Sequence, residues 1–154
     1  MRQEFTLHWL WVVDVRFFWL EFWVDYWQCD WEIGYIIQNK NWNFYIAYVA
    51  GQPVGCMAIT DEDKKYWKED KAGEALYLHK LAVKQNFRGM GISSELINYA
   101  KKITIISGIK SLKLDCNADR LKLRNIYQNN GFELVETIYM DNNYKMALYV
   151  MDVT

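Results

Sequence analysis

Apolar and polar residues alternate with two different periods along this chain of 154 residues. A period of two residues predicts a strand, and a period near 3.6 predicts a helix packed on one face. Strand-like segments are predicted at 4–9, 43–49, 54–60, 74–83, 112–116, 132–139 and 144–150. Helices are predicted from 15, from about 31 to 38, and from 92 to beyond 103. A fourth predicted helix ends at about 130.

The predicted order of elements is therefore β-α-α-β-β-β-α-β-α-β-β. This order predicts an α+β fold in which a mixed, mostly antiparallel sheet is flanked by about four helices. One β-α-β crossover leads from the strand at 74–83 to the strand at 112–116. The length fits one domain spanning residues 1–154.

The strand at 74–83 runs into a turn with two glycines, and a helix follows. Gly89 and Gly91 allow the chain to turn tightly, and the first N–H groups of the next helix lack intrahelical partners. This arrangement favours a phosphate or pyrophosphate group, and Arg88 adds a full positive charge. A P-loop is excluded because its lysine motif is absent, and the dinucleotide motif is excluded because Ser94 replaces its third glycine.

Two motifs resemble those of the GNAT superfamily of N-acetyltransferases. The run from Arg88 to Ser93 resembles the acetyl-CoA-binding motif [QR]-x-x-G-x-[GA], with Ser93 departing at the last small position. Tyr127, followed by Gly131 and Phe132, resembles the Y-x-x-x-G-F signature of the same superfamily. The element order also matches the GNAT fold over nearly the whole chain, most specifically from Phe44 onward.

The resemblance implies that acetyl-CoA is the co-substrate and that the reaction requires no metal. The pantetheine arm would pair with the backbone of 81–83, and the pyrophosphate would lie on the amides of 88–93. Arg120 stands where close relatives have an asparagine that contacts the cofactor arm. The residues that the resemblance assigns to the cofactor are Leu81, Ala82, Val83, Arg88, Gly89, Met90, Gly91, Ile92, Ser93 and Arg120.

The resemblance also implies a direct transfer of the acetyl group to a primary amine, which we expect to belong to a small molecule. Tyr127 would be the general acid for the departing thiolate. Glu74 and His79 are the candidate bases, and simple alternation places them on opposite faces of their strand. Two alternatives stay open: a non-catalytic acyl-CoA-binding module with a protein partner, and a protein N-terminal acetyltransferase.

Composition narrows the choice of partners. The formal net charge is −1, so the sequence predicts neither a nucleic-acid partner nor an anionic membrane. The apolar run at 5–13 is too short to span a bilayer. The three cysteines are an odd number without a C-x-x-C pair, which is typical of reduced thiols in a cytoplasmic protein.

Two segments admit more than one interpretation. Six of the eight tryptophans lie within the first 31 residues, and they could form core, a homodimer interface or an apolar acceptor pocket. The charge-rich segment at 61–73 is either a solvated loop or a flap over an acceptor site.

Overall fold

Six strands form one sheet in the computed structural model, which describes residues 42–154. The strand order is β1-β2-β3-β4-β6-β5, and every neighbouring pair is antiparallel except β3 and β4, which are parallel. The strands are β1 Asn43–Val49, β2 Gln52–Thr60, β3 Ala75–Val83, β4 Ser111–Asn117, β5 Glu133–Tyr139 and β6 Lys145–Asp152. The helices are α1 Ile92–Ile106 and α2 Leu121–Asn129.

This architecture confirms the predicted α+β class and the single parallel crossover between β3 and β4. The strand predicted at 4–9, the two helices predicted before residue 39, and the tryptophan-rich segment lie outside the described residues. Among residues 42–154, no helix combines the length and the apolar character that crossing a membrane requires.

Both helices pack on one face of the sheet, which we call the α1 face. Leu96 and Ile97 of α1 are buried there, together with Leu112 of β4 and Tyr127 of α2. Burial of each aliphatic side chain contributes roughly 1.5–3 kcal/mol. The main core therefore fixes the start of α1 against the middle of the sheet.

A β-bulge in β3 changes which side chains share a face. Cys56 opposes Ala82 whereas Ala58 opposes His79, so between these pairs one residue of β2 faces two of β3. Lys80 lies in the bulge and has a positive φ of 53°. After the bulge, Leu81 and Val83 pack on the α1 face. The simple alternation predicted through Val83 was therefore wrong beyond His79, because the bulge shifts the side-chain order by one.

The strands β3 and β4 pair only at their beginnings. Their register joins Ala75, Leu76 and Tyr77 of β3 to Ser111, Leu112 and Lys113 of β4. The later residues of the two strands make no further ladder pairs with each other. The sheet consequently opens between them toward Val83 and Asn117.

The segment between β2 and β3 is packed against the sheet face opposite α1. Trp67 is buried against Tyr77, with ring centroids 6.5 Å apart. Asp70 accepts a hydrogen bond from the Tyr77 hydroxyl and pairs with Lys113, both at 2.6 Å. Most of 61–73 is exposed, as predicted for a solvated loop, but these contacts hold its middle on the sheet.

Candidate functional site

The turn before α1 leaves the beginning of that helix open. Gly89 and Gly91 have φ values of 77° and 81°, and no atom lies within 4 Å of a Cβ placed on either residue. Gly91 is the N-cap of α1, and no side chain caps the helix. The first amides of the helix are therefore available to an anion, and the helix dipole favours negative charge at this end.

A cleft of about 680 Å³ lies beside this turn. Its walls come from the end of β3, the glycine turn, the start of α1 and the start of α2. Arg88, Arg120 and Lys122 are the charged residues of the lining, and all three are cationic. The size and charge of the cleft suit an elongated ligand that carries phosphate groups.

The cleft brings together nine of the ten residues that the sequence assigned to a cofactor. They are Leu81, Ala82, Val83, Arg88, Gly89, Gly91, Ile92, Ser93 and Arg120. The tenth, Met90, does not line the cleft and has 43% of its surface exposed. Lys122, Leu123, Ile126 and Phe87 also line it and were not predicted.

Tyr127 lies in the last turn of α2 with its ring enclosed by the core. Phe132 meets it edge-on at 5.9 Å, and Tyr149 lies 6.1 Å away between ring centroids. Burial raises the pKa of Tyr127 above the usual phenol value, and Cys116 and Asp115 add to the rise. The phenol is therefore held in its protonated form, as a hydrogen-bond donor requires. No hydrogen bond of its hydroxyl within residues 42–154 contributes to this rise.

His79 lies on the sheet face opposite α1, just beyond the paired part of β3 and β4. The Thr60 hydroxyl donates to the Glu62 carbonyl at 2.9 Å and lies 3.0 Å from His79 Nε2. Because that hydroxyl has a single proton, Nε2 must be the donor in this contact. Burial lowers the pKa of His79 to about 4, so the ring is neutral at pH 7 and Nδ1 carries its lone pair.

Two aspartates join His79 at this position. One oxygen each of Asp63 and Asp115 and one ring nitrogen of His79 lie within 4.8 Å of one another. Burial raises the pKa of Asp115 to about 7, and Asp63 adds to the rise through its charge and a hydrogen bond. Lys65 and Lys80 act in the opposite direction without reversing the shift. An imidazole with two carboxylates could bind a proton, an ammonium group or a divalent metal.

We expect Asp115→Asn to gain stability over the parent as pH rises. Asp115 has a pKa of about 7 in the folded protein, against an ordinary value of 3.8. Between these pH values the folded protein therefore binds more protons than the unfolded protein does. The free energy of unfolding of the parent therefore falls as pH rises through this range. Asparagine lacks this titration, and the difference should grow by about 1–3 kcal/mol from pH 5 to pH 8.

Urea unfolding at pH 5, 7 and 8 measures this difference. Glu136→Gln, an exposed change on β5, is the control and should run parallel to the parent. Parallel curves for the parent and Asp115→Asn would mean that the carboxyl ionises freely in the folded state.

The structure does not bring Glu74 to either the cleft or the aspartates. It precedes β3, is exposed, and its carboxylate accepts a hydrogen bond from the Lys71 amide at 2.9 Å. The length of β3 separates it from Leu81 by roughly 20 Å, at about 3.3 Å per residue. His79 is thus the predicted base candidate that lies near the opening of the sheet.

The sequence reasoning did not select Asp63 and Asp115. A signal for Asp115 was present, because it interrupts a short strand whose alternate residues Leu112, Leu114 and Cys116 are apolar and buried. A charged residue that alternates with buried apolar residues lies on the other face of the sheet. Asp63 carried no such signal, because it stands among many charged neighbours.

Comparison with known proteins agrees with this fold. The model of the Acetyltransferase (GNAT) family matches residues 6–132. A mixed sheet with a splayed parallel pair, next to a glycine turn and an uncapped helix, defines the class of protein. The chain belongs to the GNAT acetyltransferase family.

Individual relatives are more distant. The chain is 31% identical over 78 residues to the uncharacterized N-acetyltransferase YesJ of Bacillus subtilis, a match that covers 51% of this chain and 43% of that protein. The chain therefore spans less than half of the length of this curated relative.

Solved structures with a similar fold include a GNAT family acetyltransferase from Elizabethkingia anophelis with acetyl-CoA bound. Its TM-score is 0.62 at 17% identity, over 80% of this chain and 83% of that one. The IAA acetyltransferase from Bacillus cereus has a TM-score of 0.62 at 17% identity, over 80% of this chain and 85% of that one. At this identity the likeness concerns the fold.

Proposed function

We propose that this protein transfers the acetyl group of acetyl-CoA to a primary amine of a small molecule. The observation that carries the proposal is that nine of the ten predicted cofactor residues line one cleft. Family membership and a structural neighbour that holds acetyl-CoA support the choice of acyl donor.

The cleft offers groups for each part of the donor. The open amides at the start of α1, with Arg88, Arg120 and Lys122, suit the phosphates. The backbone at the end of β3 suits an extended amide-containing arm, because β4 does not pair with it there. Acetyl-CoA supplies an activated thioester, and the task of the protein is to position it against an amine.

The reaction also requires a proton acceptor for the amine and a proton donor for the departing sulfur. His79 is neutral, with a lone pair on Nδ1, and lies where β3 and β4 separate, so it is placed to accept a proton from the amine or to relay it through water. Tyr127 stays protonated and can donate a hydrogen bond to the sulfur as it leaves. Both roles are part of the proposal.

Thiol release from acetyl-CoA in the presence of a panel of amines tests the function. The panel contains aliphatic amines, polyamines, amino acids, aminoglycosides and peptide N-termini. We expect release with a small amine. Release with peptides alone would favour a protein N-terminal acetyltransferase, and tight CoA binding without release would favour a non-catalytic module.

We predict that Gly91→Ala weakens CoA binding at least about tenfold. The added Cβ enters space that is now open beside the helix amides, and alanine is strained at a φ of 81°. Calorimetric titration with CoA measures the change.

Gly108→Ala is the matched control, because Gly108 has a φ of 72° and equally open space but lies beyond the other end of α1. The control should lose similar stability and keep its CoA affinity. If both variants bind CoA like the parent, the assignment of the phosphate site to this turn is wrong.

A further inference from the structure

Positive charge is concentrated at the start of α2, where a helix does not favour it. Arg120 is the N-cap residue, no side chain caps the helix, and its first turn contains no acidic residue. Lys122 adds a second positive charge in this turn. Because the helix dipole disfavours cations at a helix N-terminus, these side chains do not serve the stability of α2. A local conflict of this kind is typical of a functional site.

The cleft side of α2 leads from Arg120 to Tyr127. Arg120, Leu123 and Ile126 line the cleft, and Tyr127 follows Ile126 directly. Seven residues make about two helical turns, so Arg120 and Tyr127 lie on the same side of α2, about 10 Å apart along its axis. Helical side chains lean toward the N-terminus, which brings the Tyr127 hydroxyl toward Arg120.

The guanidinium of Arg120 is available to a ligand. The next cation of α2, Arg124, is committed to the fold, since its Nε donates to the Tyr149 hydroxyl at 2.8 Å and its Nη1 to the Ala118 carbonyl at 3.1 Å. Arg120 is exposed, and its side chain makes no hydrogen bond or ion pair with the part of the chain that the structure describes. Its N–H donors can therefore meet an anion in the cleft.

The charge of Arg120 reaches the buried end of α2. Burial, Cys116 and Asp115 raise the pKa of Tyr127, and Arg120 acts against this rise. Burial and Asp115 likewise raise the pKa of Cys116 to about 11, and Arg124 and Arg120 act against it. The field of Arg120 is therefore felt at the Tyr127 hydroxyl, the group that would meet the sulfur of CoA.

We propose that Arg120 stabilises the negative charge that develops on the sulfur of CoA as the acetyl group leaves. The proposal rests on the proposed acetyl transfer. The thioester sulfur is neutral and the departing thiolate is charged, so a nearby cation stabilises the transition state more than the bound substrate. Arg120 and the hydrogen bond from Tyr127 act together on this charge. Arg88, Lys122 and the open amides of α1 remain for the phosphates.

The step balances without another reactant. The lone pair of R–NH₂ forms the new C–N bond to the acetyl carbonyl carbon, and the C–S bond breaks. The electron pair of that bond leaves with sulfur. The nitrogen loses one proton and the sulfur gains one, while Arg120 neither donates nor accepts a proton.

The pKa of the thiol of bound CoA tests the proposal without any amine. The ultraviolet absorbance of the thiolate is titrated with the protein in excess, and the same titration with desulfo-CoA subtracts the tyrosines and cysteines of the protein. We expect this thiol pKa to be about 0.5–1 unit higher in Arg120→Gln than in the parent, because a nearby cation favours the thiolate. The turnover number should fall roughly five- to tenfold.

Two further variants are the controls. Arg120→Lys keeps the charge and should restore most of the parental thiol pKa. Lys122→Gln removes the same charge from the same helical turn and should leave the thiol pKa at the parental value. Calorimetric titration with desulfo-CoA, which has every phosphate of CoA and no sulfur, should give similar affinities for Arg120→Gln and the parent.

The outcomes are separable. Equal thiol pKa values in the parent and Arg120→Gln overturn the proposal, and so does an equal rise in Lys122→Gln and Arg120→Gln. Weaker binding of desulfo-CoA by Arg120→Gln at an unchanged thiol pKa would mean that Arg120 binds a phosphate instead. Absence of thiol release with every amine, with a thiol pKa that still depends on Arg120, contradicts the proposed acetyl transfer and leaves Arg120 assigned to the sulfur.

Discussion

Tyr127→Phe should lower the turnover number by roughly 100-fold or more, with stability and CoA affinity close to those of the parent. The ring is enclosed by Phe132 and Tyr149, and phenylalanine preserves that packing. The hydroxyl, in contrast, is not used by the described part of the fold. Loss of a positioned proton donor costs on the order of 10²–10⁴ in rate.

The way in which Tyr127 is expected to act follows from the pKa values of a phenol and a thiol. A phenol has an ordinary pKa of about 10 and a thiol about 8.5, so full transfer from tyrosine to a thiolate is uphill. Burial of Tyr127 raises its pKa further and makes that transfer harder. The phenol should therefore act by hydrogen-bonding the developing negative charge on sulfur.

Steady-state kinetics, thermal unfolding and CoA titration are measured together for this variant. Tyr139→Phe removes a hydroxyl from a residue that is 74% exposed on β5, and it should leave all three unchanged. A Tyr127→Phe enzyme that folds, binds CoA and turns over like the parent would reduce Tyr127 to a packing residue.

Gly55→Val should destabilise the protein by about 2–4 kcal/mol and abolish CoA binding. A Cβ on Gly55 would lie 3.0 Å from the Ala82 carbonyl oxygen and within 3.2 Å of Ile92 and Leu96 side-chain atoms. The branched side chain would force β3 and α1 apart, and overpacking of this kind costs about 1–3 kcal/mol or more. Both elements form walls of the cleft, so its shape would change with them.

A graded series makes this test sharper. Gly55→Ala should show a smaller loss of stability and a measurable weakening of CoA binding. Urea unfolding gives the first quantity, and calorimetric titration under native conditions gives the second. A Gly55→Val protein with parental stability and CoA affinity would show that the contact between β2, β3 and α1 is looser than the structure indicates.

The sequence alone predicted most of the elements from β1 onward. The apolar period of α1, the strand-forming runs, and Gly131 after α2 are local signals, and each acts within a few residues of the structure that it specifies. The turn around Gly91 was predictable for the same reason, because glycine adopts the left-handed conformation of this turn without strain.

The face assignments at the end of β3 could not be predicted in this way. The bulge at Lys80 arises from pairing with β2, and no pattern within β3 announces it. Because a one-residue shift reverses every later side chain, Leu81 and Val83 moved to the α1 face. The separation of Glu74 from the site likewise depends on where the strand begins and on which end of it the sheet opens.

The cluster of Asp63, His79 and Asp115 shows most clearly what the tertiary structure decided. Asp63 comes from the segment before β3, His79 from β3 itself, and Asp115 from a parallel strand beyond α1. Their proximity follows from the crossover, from the early end of pairing between β3 and β4, and from the anchoring of Trp67 and Asp70. The sequence determined the elements and the glycine turn before α1 through local backbone preferences. The cluster of Asp63, His79 and Asp115 exists only because the tertiary structure brings distant segments together.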